Sequence, residues 1–455
     1  MHRVGIARRF GSALLALTLS GCTSTAAREV PLAHWSPDDE QRFAEQIEGD
    51  RSPELVVLLA FSGGGTRAMA YSYGVLQELA ATEVMTPNGP KPLHHEIDVV
   101  SSVSGGSFTA AYFGLHGDGI FEDFEQRVLR KNIQADLAFQ LLKPRTWFKV
   151  DSDNYGRSDL AADFYAKNIF DEATFAQLNR PGAPLVVINA TELGSGARFT
   201  FIREYFDLLC ADLDAYPLAR AVAASSAVPG LLSPIGLENY AGRCGYEPAP
   251  WLVEAAHAPH QTIKKANAQA IMSFLDPAKR PWLHLVDGGI SDNLGLRSYW
   301  TWASMTGGLG SALPSLAQTG PHHVVIILVN AKTEPKEDWM YFGSVPSFTE
   351  TLKRTTDIEI TRYDLDTVEM VNDAFEAWVR ENSRPGRELT FDFVEVGFSE
   401  VTDAKERAYL NEIGTNFDLS DEEVDRLIQA AREALREQPS FQSFLARARE
   451  SAKPR

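Results

Sequence analysis

Residues 54–61 read ELVVLLAF and run straight into Ser62-Gly63-Gly64-Gly65-Thr66-Arg67. An unbroken apolar run of this length suits a strand buried on both faces. Past the glycines the period changes, with Met69, Val75, Leu76 and Leu79 falling at helical spacing. The same grammar returns at 97–101 (IDVVS), followed by Ser104-Gly105-Gly106 and another apolar helical stretch. Residues 185–189 (LVVIN), 282–286 (WLHLV) and 324–329 (VVIILV) are further buried-strand candidates. Residues 389–396 (LTFDFVEV) alternate as a half-exposed strand does. A helix follows, opened by the capping box Ser420/Glu423, with Val424, Leu427, Ile428, Ala431 and Leu435 on one face. Strands alternating with helices predict an α/β fold with a largely parallel sheet. No linker interrupts the pattern, so residues 51–450 are expected to form one domain.

The chain has 455 residues, 44% of them hydrophobic, and a net charge of −18. Those proportions belong to a globular protein. So acidic a surface repels the phosphate backbone, and no nucleic-acid partner is expected. It repels anionic headgroups as well, so attachment to a membrane needs something other than a basic face. The first 21 residues offer it. Arg3, Arg8 and Arg9 precede a short apolar stretch from Phe10 to Leu19, too short to span a bilayer and shaped like a secretory signal. It ends Leu19-Ser20-Gly21-Cys22, which resembles the lipobox of bacterial lipoproteins. That resemblance implies lipidation at Cys22 and a lipid anchor in the cell envelope. Thr23 as the next residue points to the outer membrane, facing the periplasm. Residues 22–50 then read as a tether and an N-terminal helix. Cys210 and Cys244 remain, either as a disulfide in an oxidising compartment or as two buried thiols.

Three glycine-rich turns carry the chemistry. Ser102-Val103-Ser104-Gly105-Gly106 stands between strand and helix, where a tight turn lifts a serine hydroxyl clear of the sheet. The usual pattern is G-x-S-x-G, and Ser102 replaces its first glycine. Gly63-Gly64-Gly65 can turn backbone N–H groups toward one point at a helix N-terminus, which favours negative charge. The run lacks the lysine of a P-loop, and Ala68 stands where G-x-G-x-x-G needs its last glycine, so an oxyanion cradle is the reading left. Arg67 beside it is expected to orient the loop or meet an anionic headgroup, unless it is a plain surface arginine. Asp287-Gly288-Gly289 follows the 282–286 strand, where open α/β sheets hold their ligands.

Together, GGGTR at 63–67, SVSGG at 102–106 and DGG at 287–289 resemble the patatin-like phospholipases, in order and across residues 52–335. Asn189-Ala190-Thr191 and the ASSAVP run at 224–229 are similar to the family as well. The resemblance implies a three-layer sandwich with a central, mostly parallel sheet and helices on both faces, extended C-terminally by residues 336–450. It implies a lipid acyl hydrolase of the phospholipase, lysophospholipase or esterase type, acting on lipid esters without a cofactor. It makes Ser104 the nucleophile, Asp287 its base, and the N–H groups of Gly63, Gly64 and Gly65 the oxyanion hole. An acyltransferase or a catalytically silent lipid-binding protein on the same fold are the alternatives.

A conventional triad in the order Ser…Asp…His would need a histidine after Asp287, and only His322 and His323 qualify. They begin a strand, whereas Ser104 follows the end of one, so parallel strands would put them at opposite edges. No metal is expected: His257 and His260 lack a third ligand, and the loop at Asp151–Asp153 has Ala162 where calcium needs a glutamate. Between Pro234 and Arg280, Ile263, Ala266, Ala270, Ile271, Phe274 and Leu275 form one stripe, readable as a lid over an acyl pocket or as a helix packed on the core.

Overall fold

The structure is a computed structural model and describes residues 29–37, 51–86, 89–143, 150, 155–304, 322–334, 343 and 345–451. Cys22, residues 38–50 and the Asp151–Asp153 loop lie outside the described residues. Among the described residues ten strands occur in chain order: β1 Leu55–Phe61, β2 Glu83–Thr86, β3 Gly89–Pro92, β4 Ile97–Val103, β5 Leu185–Glu192, β6 Arg198–Phe201, β7 Ile235–Glu238, β8 Trp282–Asp287, β9 His322–Asn330 and β10 Leu389–Gly397. The helices that bear on the site are α1 Gly65–Ala81, α2 Gly105–His116, α3 Leu218–Ser225, α4 Ile263–Met272, α5 Arg297–Ser304, α6 Phe348–Asn382, α7 Asp421–Glu437 and α8 Pro439–Ser451. None of the described helices is long and apolar enough to cross a membrane.

One sheet runs in the order β10-β9-β1-β4-β5-β8-β7, with β6 on the other edge of β5, and β2-β3 form a small separate ribbon. The five strands from β10 to β5 are parallel. All seven residues of β1 and of β4 are buried, as their unbroken apolar runs require. Stepping from β1 to β4 to β5 and then back past β1 to β9 and β10 reverses the winding. Right-handed crossovers therefore place α1 and α2 on one face and α6 on the other. Helix α7 lays its predicted stripe, Val424, Leu427, Ile428, Ala431 and Leu435, against the molecule, and all five are buried. Residues beyond 336 thus complete the same sheet and core, with β10 as its edge strand.

The β8 strand departs from the expected direction. It pairs antiparallel with β5, Ala190 opposite Asp287 and Glu192 opposite Leu285. β4 pairs with β5 only as far as Val103 opposite Asn189. β6 occupies the other edge of β5 over the same residues, from Ile188 to Thr191. Two strands therefore share one edge of β5 and approach each other head to head. The overshoot of β5 past Asn189 gives β8 its partner and brings its last residue to the end of β4.

Residues 29–35 dock instead of dangling as a tether. Leu32 N–H donates to Cys210 O (2.8 Å), Trp35 N–H to Cys244 O (3.0 Å), and Glu238 N–H to the Glu29 carboxylate (3.2 Å). Beneath them Cys210 and Cys244 form a disulfide with Cα atoms 5.5 Å apart, which resolves the two readings of these cysteines. The C-terminal part of the stripe on α4 and the turn after it packs on the core: Ile271 and Phe274 are buried, the Phe274 ring lies 6.4 Å from Phe199, and Ile263 and Ala266 are exposed. This helix is packed structure, not a lid over Ser104.

Candidate active site

Strand β4 ends at Val103 and α2 begins at Gly105, leaving Ser104 alone to turn the chain. Its φ of 51° lies in the left-handed region, a strained conformation for a residue with a Cβ and one held only by surrounding structure. The restraint is visible. Ser104 N–H donates to Ser225 Oγ (2.8 Å), and Ser225 Oγ–H donates in turn to Asn189 O (2.6 Å). Ser102, the departure from G-x-S-x-G, does not prevent the turn; its buried hydroxyl donates to Val187 O (3.2 Å) within the sheet.

Of the four serines at 101–107, Ser104 is the one aimed at a carboxylate. Ser101 Oγ donates to Gly295 O, and Ser107 Oγ lies 3.0 Å from Ser225 Oγ. Ser104 Oγ donates to Asp287 Oδ2 at 2.9 Å. Asp287 Oδ1 accepts from Gly289 N–H at 2.8 Å, which leaves Oδ2 to the serine. Ser104 and Asp287 are both buried, at 6% and 7% exposed. Burial pushes the Asp287 carboxyl up to about 6, against the opposing pull of the Gly289 N–H and the Ser104 hydroxyl. His322 and His323 stand where the parallel register puts them, with His323 opposite Leu55 at the start of β1. Their Nδ1 atoms are taken by Pro53 O and Thr390 Oγ1.

The glycine loop sits beside the elbow and is pinned from outside. Ser62 N–H donates to Val329 O (3.0 Å), and Ser62 Oγ accepts from Ala331 N–H (2.9 Å). Gly64 and Gly65 have φ of 147° and 61°, and a side chain at Gly65 would run into the Asn416 carbonyl. Helices α1 and α2 both start here, so two positive helix ends meet at the serine. One expectation is corrected. Gly63 N–H does not face the site but donates to Asn293 O at 3.0 Å, which ties the loop to the segment after Asp287. Among the described residues, the N–H groups of Gly64 and Gly65 have no partner. Arg67 is neither a surface group nor a headgroup ligand. It is 4% exposed, and its guanidinium donates to Ala331 O (2.8 Å) and Ile413 O (2.6 Å), so it braces the loop; burial pushes it down to about 10.

A family model for patatin-like phospholipases matches residues 59–300, more than half of the chain. This chain belongs to the patatin-like phospholipase family. No curated protein matches its sequence significantly. Among solved structures it is distantly similar to human GIVD cytosolic phospholipase A2, at 14% identity and a TM-score of 0.43, over 93% of this chain and 68% of that one. The same human protein in complex with methyl gamma-linolenyl fluorophosphonate and terbium chloride gives 14% identity and a TM-score of 0.42, over 93% and 67%.

The other family-like segments of this patatin-like phospholipase domain support the pair from behind. Thr191 Oγ donates to the Asp287 main-chain carbonyl (2.9 Å), Asp287 N–H donates to Ala227 O (3.0 Å), and Gly288 N–H donates to Ser225 O (3.1 Å). Asn293 has no motif to announce it. Besides holding Gly63, its Nδ2 donates to the buried Asp364 on α6 (3.3 Å). Sequence reasoning placed NAT and ASSAVP in the family without giving Asn189, Thr191 or Ser225 a task. Small polar residues at the ends of buried runs were the signal.

Proposed function

We propose that the chain hydrolyses carboxylic esters of lipids through a Ser104–Asp287 dyad. The Ser104 Oγ to Asp287 Oδ2 hydrogen bond at 2.9 Å, in a buried setting, carries this reading. Ser104 Oγ attacks the ester carbonyl as its proton passes to Asp287 Oδ2. The tetrahedral oxyanion is received by the N–H groups of Gly64 and Gly65 at the N-terminus of α1, each such donor being worth about 3–4 kcal/mol. Collapse returns the proton from Asp287 to the leaving alcohol and leaves an acyl-serine. Water then attacks, Asp287 takes its proton, and Ser104 is released with the free fatty acid. A carboxyl held near 6 suits the task better than an ordinary aspartate, because it accepts a proton more readily while still ionised at neutral pH.

Lipid rather than a water-soluble ester is favoured by what surrounds the pair. Val228 and Ile290, both exposed, follow directly on Ala227 and Gly289, whose main chains bond Asp287, and the exposed Leu231 lies three residues past Val228. Apolar side chains left in water beside a reactive serine favour an acyl chain. We further propose that acylation at Cys22 anchors the mature chain to the outer membrane, from the lipobox at 19–22. The test is an organophosphonate probe followed by peptide mapping and a lipid panel read by mass spectrometry. Ser104 should carry the only adduct, and fatty acid should appear with wild type but not with Ser104→Ala. An adduct on Ser102 or Ser107 would refute the assignment. A transferred acyl group on an added alcohol, in place of free acid, would make the enzyme a transferase. Cys22→Ser should release the protein from membranes in detergent-free fractionation, and unchanged partition would sink the anchor.

A further inference from the structure

His94 and His95 lie in the short turn Leu93–Glu96 that leads into β4, and Asp118 lies just past the end of α2. His94 Nε2 stands 2.8 Å from Asp118 Oδ1, and His95 Nε2 stands 3.0 and 3.1 Å from the two carboxylate oxygens. The two rings are 4.0 Å apart, centre to centre. One nitrogen or oxygen from each of the three residues lies within 4.8 Å of the other two. They line a cavity of about 440 Å³ at the edge of the sheet where β4 begins. Nothing in the proposed dyad mechanism uses them.

Two imidazoles converging on one carboxylate can each donate an N–H to it. Yet His94 Nδ1 is buried without a partner among the described residues, so nothing there fixes the proton on Nε2. With the proton on Nδ1, the Nε2 lone pair points at a carboxylate, an arrangement that a cation between them relieves. His116 lines the same cavity, and its Nε2 is also buried and unpartnered among the described residues. Zinc at about 2.0–2.2 Å from nitrogen and oxygen ligands holds them roughly 3.4 Å apart in a tetrahedron, so the two nitrogen–oxygen pairs, at 2.8 and 3.0 Å, need open by only about half an ångström. Imidazole nitrogen with one carboxylate suits zinc and its transition-metal neighbours; calcium and magnesium prefer oxygen sets. His95 and Asp118 are exposed, which gives an ion its way in from solvent.

We propose that His94, His95 and Asp118 bind one divalent transition-metal ion, zinc by its ligand chemistry. The ion joins the start of β4 to the end of α2, the two elements that hold Ser104 between them, and so closes that unit at the end remote from the serine. A fourth position remains for water from the cavity.

The purified full chain in detergent, made without a histidine tag and stripped with chelator, is titrated with zinc chloride by calorimetry and with cobalt(II) by visible absorption. One ion per chain should bind with Kd of about 10 µM or tighter and give the intense visible bands of tetrahedral cobalt. A hundredfold excess of zinc over Kd should raise Tm by roughly 3–5 °C. His95→Ala and Asp118→Asn, both exposed positions, should each weaken binding at least about 100-fold, with metal-free Tm within roughly 1 °C of wild type. His257→Ala should bind as wild type does. No saturable binding below about 100 µM, or binding that survives unchanged in both variants, would overturn the proposal.

Discussion

At the edge of the sheet where β4 ends stand a serine, a carboxylate and two glycine N–H groups without a partner among the described residues; at the edge where β4 and β9 begin stand His94, His95, His322 and His323. The separation follows from strand direction. His323 pairs with Leu55 and Ser102 with Phe61, so the length of β1, about 20 Å, lies between the two chemistries. A parallel sheet sorts residues by whether they precede or follow a strand. Here the two histidines that follow Asp287 in the chain, His322 and His323, stand at the start of one. The carboxylate at the end of β8 reaches the serine because β8 runs antiparallel to β5, in from beyond the sheet's edge. Its low intrinsic basicity is offset by burial, which a solvated aspartate would lack.

This contrast can be broken in several ways. Ser104→Ala and Asp287→Asn should each lower kcat/KM on a lipid ester by about 10³–10⁴-fold, since neither leaves a serine that can pass its proton on. Gly64→Val should cost about 10²-fold in both turnover and probe labelling, because a β-branched residue resists a φ of 147° and the N–H groups move off the oxyanion. The acid limb of kcat/KM should fall tenfold per pH unit below about 6, where the Asp287 carboxylate takes up its proton; a limb near 4 would mean a solvated base.

The same burial has a sign for stability. A carboxyl raised from 3.8 to about 6 costs the fold only when ionised, so the cost is absent below about pH 4 and complete above about pH 6. Asp287→Asn should therefore gain up to roughly 3 kcal/mol against urea at pH 7.5 and nothing at pH 3.5. The smallest expected effect sharpens the contrast most. His322→Ala and His323→Ala should change kcat/KM less than about threefold, and loss comparable to Asp287→Asn would place the base at the wrong edge.

What was legible in the sequence was whatever a local run or turn encodes. The buried strands of 54–61 and 97–101, the elbow at Ser104 and the α7 stripe all follow from period and glycine placement over a few residues. The direction of β8 was not legible, because residues 282–287 look the same whichever way they pair; the overshoot of β5 decides it. Nor was the fate of Gly63, whose N–H is taken by a carbonyl 230 residues away. For Arg67 the sequence left loop support, a headgroup contact and a surface position open, because the carbonyls of Ala331 and Ile413 that decide for loop support come from distant loops. His94 and His95 were adjacent in the chain, but their convergence with Asp118 needed α2 to run back along β4.

The docking of residues 29–35 sets a leash length. Six residues lie between Cys22 and Glu29, and the seven Cα–Cα steps span at most about 25 Å when fully extended. Glu29 is held at Glu238, which pairs with Trp282 at the start of β8, beyond the same edge on which Ser104 stands. An acylated Cys22 would therefore keep the catalytic edge, and not the histidine edge, close to the bilayer. The enzyme would then meet its lipid by lateral diffusion in two dimensions, where a weak grip on each substrate molecule is enough, because the anchor supplies the residence time.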